Sequence, residues 1–112
     1  MKKYLLYAMN GEKMCFLHLL MNALDLHEDG VEVKVVFEGA SVKLPPVLEV
    51  EENKLYLKAK ELGLIAGICL ACSSVLGVLE ENEKTGLPML NDMMGHAGVK
   101  PFVLDGYEVI IF

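Results

Sequence analysis

A chain of 112 residues fits one domain and is long enough to close a hydrophobic core without disulfide or metal staples. Its formal charge of −6, with sixteen acidic residues against ten basic and no cluster of Lys or Arg, argues against direct binding of nucleic acid or an anionic membrane. The 54% hydrophobic content is high for a domain of this size and predicts both an unusually complete core and apolar surface hidden in a homo-oligomer, while three cysteines and an opening stretch without a signal-peptide pattern predict reduced thiols in the cytoplasm.

Residues 3–9 (KYLLYAM) form a short apolar run stopped by Asn10-Gly11, which reads as a buried strand and a turn. A helix is predicted from Glu12 to about His27, with Met14, Leu17, Leu20, Met21 and Leu24 facing a sheet and Asp29-Gly30 at its end. Cys15, His18, Asn22 and Asp25 share another stripe, read as solvent or subunit contact. Residues 31–37 (VEVKVVF) are rich in β-branched side chains and give a second strand with Glu38 at its carboxyl end, so the first connection is βαβ. In the linker GASVKLPPV, Pro45-Pro46 is expected to prevent regular helix. A helix follows over 53–62, with Leu55, Ala59 and Leu62 inward and Gly63 as its stop.

Residues 62–79 are eighteen positions without a charge, near the lower limit for a membrane span. Gly63, Gly67, Gly77, Ser73 and Ser74 interrupt the run, and acidic rather than basic residues flank it, which argues for a buried strand over 64–68 turning into a helix. That helix is predicted over 73–84, with Val75, Leu76 and Leu79 as its apolar residues and Gly86 just beyond. Past the connector at Leu87-Pro88 come a loop or short helix through His96, a short extended piece over 102–104 and a last strand over 107–112. The seven methionines are assigned to core and oligomer interfaces, since they show no repeated ligand spacing. Strands alternating with helices predict an α/β fold, a three-layer α/β/α sandwich with a mainly parallel sheet of about five strands, in a single domain over residues 1–112.

In such sheets ligands bind beyond the carboxyl ends of the strands, and Cys69 and Cys72 fall at one of those ends. A helix beginning near Ser73 would turn its amide groups and positive dipole end toward the sulfurs and lower the thiol pKa. Three other readings stand beside this one. Cys15-x-x-His18 with Cys69-x-x-Cys72 offers four zinc ligands, but the first pair lies within a helix and nothing brings the pairs together, so no metal or other cofactor is expected. A thioredoxin-type couple would place its motif earlier in the chain, often around Gly-Pro, where this pair encloses Leu70-Ala71. Two small buried hydrophobes remain the plainest alternative.

His96, between glycines on a predicted loop, is a candidate base or hydrogen-bond donor, with Asp92 near enough in sequence to orient it. Asn10 and Glu38 end the first two strands and could line the same rim as binding residues, although both are ordinary turn residues.

The segment GICLACSSVLGV, in which a strand ends in Cys69 and Gly77 follows eight residues later, resembles the cysteine segment of the DsrE-like (YchN-like) family, some members of which carry a second cysteine where Cys72 stands. The likeness extends through VKVVFEGASV, KAKELG and the closing DMMGHAG and GYEVIIF, and their order carries it. The Arg that often precedes the family glycine is Leu76 here. The resemblance implies an α/β/α sandwich assembled as trimers, hexamers or hetero-oligomers. It also implies a sulfur relay in which a donor protein places sulfane sulfur on Cys69 as a persulfide, with Cys72 as resolving thiol or second acceptor, for transfer to an acceptor protein. From another class, a non-catalytic oligomeric binding or scaffold protein on the same fold would use the cysteines structurally.

Overall fold

The computed structural model describes residues 2–112. Its elements run β1 (Lys3–Ala8), α1 (Lys13–Glu28), β2 (Glu32–Phe37), a 3-10 turn (Gly39–Lys43), α2 (Leu44–Val50), α3 (Lys54–Glu61), β3 (Ile65–Cys69), α4 (Leu70–Val75), α5 (Leu79–Lys84), β4 (Met89–Leu90), α6 (Lys100–Leu104) and β5 (Glu108–Ile111). The strands form one sheet in the order β4-β3-β2-β1-β5, with every pairing parallel. Consecutive residues of the inner strands, Leu5 to Ala8 and Val35 to Phe37, are buried, as strands covered on both faces require.

The steps from β1 through β4 all move the same way across the sheet, so right-handed crossovers put their helices on one face. There α1 packs on α3, and α2 bridges α3 and α5. The last step returns to the far side of β1, which carries α6 to the opposite face and completes the three-layer α/β/α sandwich.

Several expectations are corrected. Pro45 and Pro46 do not block helix: they occupy the first turn of α2, where a missing N–H costs nothing and a fixed φ suits the helix. Residues 102–104 are not extended but belong to α6, and the fifth strand is instead the two-residue β4, whose approach to β3 depends on Gly67. A Cβ there would lie 2.6 Å from the Pro88 carbonyl oxygen. The helix predicted over 73–84 is two helices. A Schellman motif ends α4, with Val78 N–H donating to the Ser73 carbonyl, Gly77 N–H to that of Ser74, and Gly77 at φ +73°.

In α1 the buried stripe is Phe16, Leu19, Leu20 and Ala23, while Met14 and Met21 face outward. Leu62 and Val75 are exposed as well, and Met9, Met93 and Met94 lie on the surface rather than in the core. The stripe of Cys15, His18, Asn22 and Asp25 is exposed, in keeping with its reading as solvent or subunit contact.

Candidate functional site

Because all five strands are parallel, their carboxyl ends share one edge, and the chemistry-bearing side chains meet there. β1 contributes Tyr7, β2 hands the chain to Glu38, and β3 ends in Cys69. Cys72 follows in the first turn of α4, and His96 arrives from the loop after β4. Tyr7, Met9, Glu38, Cys72, Met93, His96 and Ile111 line an open cavity of about 450 Å³, while Cys69 lies fully buried beneath it. A somewhat larger hollow at the opposite edge of the sheet, near His27 and Gly63, holds neither thiol.

Local sequence explains each position. Cys69 is the N-cap of α4, and its Sγ accepts the Cys72 N–H at 3.3 Å. Ser73 donates to the Cys69 carbonyl at 2.7 Å, and Asn82, fully buried, donates to Ser73 Oγ and to the Val42 carbonyl, both at 2.9 Å, so the cysteine turn is tied to the layer behind it. Glu38 caps the 3-10 turn: its Oε1 accepts from Gly39 N–H at 2.9 Å while Ser41 Oγ accepts from the Glu38 N–H at 3.1 Å. His96 closes a two-residue hairpin turn in which Met93 and His96 exchange backbone hydrogen bonds, with Met94 at φ 52° and Gly95 at φ 89°. Ala71 N–H donates to the Gly95 carbonyl at 2.9 Å and docks this turn on α4.

His96 Nδ1 lies 3.3 Å from Cys69 Sγ, 3.3 Å from Cys72 Sγ and 3.6 Å from Glu38 Oε1. Cys72 Sγ donates to Glu38 Oε1 at 2.6 Å. Glu38 is 4% exposed, and Tyr7 Oη, shared with the Ala97 carbonyl, donates to its second oxygen at 3.1 Å. Burial pushes the Glu38 carboxyl up, but the hydrogen bonds it accepts, that of Cys72 first, outweigh this and hold it below the usual range. Burial and then the Glu38 carboxylate push the Cys72 thiol up to about 12. The Cys69 thiol is raised as well, chiefly by burial. The expected lowering by a helix end is therefore overridden: α4 begins at Leu70, its Cys72 amide does favour a Cys69 thiolate, yet loss of water around the sulfur costs more.

Cys69, Cys72, His96 and Glu38 are thus brought together, whereas two candidates stand apart. Asn10 accepts from the Glu12 N–H at 2.7 Å and serves the turn into α1. The Asp92 carboxylate faces the Gly98 N–H at 3.3 Å, bracing the loop rather than the imidazole. The sulfurs take Glu38 and His96 as neighbours in place of Cys15 and His18. Tyr7 escaped the sequence reading, although a hydroxyl near the end of an aliphatic strand was its sign.

The arrangement defines a class: a parallel α/β domain whose strand-end thiols share an imidazole and a buried carboxylate. The chain belongs to the same family as Uncharacterized protein MJ0733 of Methanocaldococcus jannaschii, to which it is 34% identical over 94 residues, 84% of this chain and 77% of that protein. An uncharacterized protein of Archaeoglobus fulgidus is 34% identical over 44 residues, 39% of this chain and 72% of the relative. No family model matches the sequence, and no solved structure matches it.

Proposed function

We propose that the protein is a cytoplasmic, DsrE-like sulfur carrier that takes sulfane sulfur from a donor protein, holds it as a persulfide on Cys69 with the help of Cys72, and passes it to an acceptor. The observation that carries this reading is the convergence of two free thiols on one imidazole nitrogen, 3.3 Å from each, beside an open cavity. Cys72 lines the cavity and meets the donor first. As its Sγ attacks the terminal sulfur of a donor persulfide R–S–SH, its proton passes to Glu38, the new S–S bond forms, and RS⁻ leaves and is protonated by solvent. Cys69, its proton passing to His96 Nδ1, then attacks that outer sulfur; the bond to Cys72 breaks, and Cys72 recovers its proton from Glu38. Attack on the inner sulfur would instead give a Cys69–Cys72 disulfide and release sulfide.

Homo-oligomeric assembly, as trimer or hexamer, belongs to the same proposal, supported by apolar side chains exposed near the cavity: Val75, Leu76, Met93 and Met94. No described helix is long and apolar enough to cross a membrane, and the acidic balance favours protein or small-molecule partners over nucleic acid.

A second reading, a non-catalytic binding or scaffold protein with structural cysteines, is favoured by the burial that keeps both thiols protonated at neutral pH. Intact mass after exposure to a small-molecule persulfide separates the two. The carrier gains one sulfur, about 32 Da, which peptide mapping places on Cys69 in the wild-type protein, finds stalled on Cys72 in Cys69→Ser, and sees arrive more slowly in Cys72→Ser. No gain in the wild-type protein, or a gain that mapping places only on the exposed Cys15, selects the scaffold.

A further inference from the structure

We propose that Glu38, Cys69, Cys72 and His96 form a binding site for one zinc ion, each giving a single donor atom. The inference stands apart from sulfur carriage, because it requires the sulfurs only as ligands. All four donor atoms lie within 4.8 Å of one another, and they come from three separate points on the carboxyl edge of the sheet: the end of β2, the β3–α4 junction and the loop after β4.

The separations suit a metal at their centre. Zinc bonds of about 2.3 Å to sulfur and about 2.0 Å to nitrogen and oxygen place tetrahedral ligand atoms about 3.3–3.8 Å apart. The imidazole Nδ1 already stands 3.3 Å from each sulfur and 3.6 Å from the Glu38 oxygen. Cys72 Sγ and Glu38 Oε1, at 2.6 Å, must part by about 1 Å, which replacing the thiol proton between them with a cation brings about.

Charge points the same way. Glu38 is a buried carboxylate whose ion-pair partner, among the described residues, is His96 rather than a Lys or Arg. A divalent cation would supply the missing positive charge. Two thiolates, an imidazole and a carboxylate select a borderline ion such as zinc over magnesium or calcium, which prefer oxygen. On binding, the two thiol protons pass to solvent and no atom changes oxidation state.

The supporting contacts are those of a metal centre. Tyr7 Oη and Gly39 N–H fix the carboxylate, and the Cys72 N–H fixes Cys69 Sγ. The half-exposed His96 side chain and the cavity give the ion a way in.

Cobalt(II), a spectroscopic stand-in for zinc, tests the site in reduced, chelator-stripped protein titrated without oxygen. The expected result is thiolate-to-cobalt charge-transfer absorption with the intense visible bands of tetrahedral coordination, saturating at one ion per chain and erased by zinc. Cys72→Ser should weaken the charge-transfer band, and Tyr7→Phe should lower affinity by about ten- to a hundredfold. A weak six-coordinate spectrum without charge transfer in the wild-type protein overturns the site, as does a spectrum unchanged when Cys69 and Cys72 are both serine. The wild-type titration tests the site without relying on how the variants fold.

Discussion

Cys72 and Cys69 are three residues apart yet occupy different environments, one beside a cavity and the other wholly buried. Iodoacetamide followed by peptide mapping should therefore label Cys15, exposed on α1, and Cys72 well before Cys69. The thiolate is the reacting form, and the Cys72 thiol ionises only toward about 12, so in metal-free protein its labelling rate should climb about tenfold per pH unit between about pH 7 and 9. A plateau inside that interval would mean that burial and Glu38 do not hold the proton on sulfur. Which residues approach one another was partly legible from the sequence. Glu38 and Cys69 were findable because short apolar runs end at them, and in a parallel sheet such ends must share an edge. The roles of Asn10 and Asp92 were not, since an Asx side chain that serves its own turn looks the same in sequence as one that serves a ligand.

Among the elements, β4 decides where His96 stands, and sequence pattern could not reveal it. Two residues are too few to show a strand period, and its sign lay elsewhere, in Gly67 of β3, whose missing side chain admits the Pro88 carbonyl and Leu90. Gly67→Ala should lower stability by about 1–3 kcal/mol in urea unfolding, because the added methyl meets backbone as well as a leucine. A loss within error would show that β4 can move aside freely. The α1 face was misread for a related reason: apolar residues run around more than one side of that helix, so spacing alone did not distinguish the Phe16–Leu20–Ala23 stripe from the Met14–Met21 stripe beside it. The break at Gly77 was visible as a glycine, but its use as a left-handed helix end was legible only with the bonds of Val78 and Gly77 in view.

For the molecule as a whole, parallel layering was the most legible property, since alternating strands and helices leave few other ways to bury so many apolar residues. The folded chain still exposes Val75 at 80% and Met94 at 99%, both close to the residues that line the cavities. Light scattering should give a mass that is a multiple of the 12.4 kDa chain, and Val75→Glu should shift it toward the single chain without altering the far-ultraviolet dichroism. A monomer before substitution would refute the assembly. The order in which the four donors occur along the chain has one further consequence. Glu38, Cys69 and Cys72 are synthesised before His96, and β4 and the Met93–His96 turn must emerge before the cluster can close. During translation the thiols therefore meet the cell as a pair without their imidazole, and the completed site becomes a report that β4 and the Met93–His96 turn have taken their places.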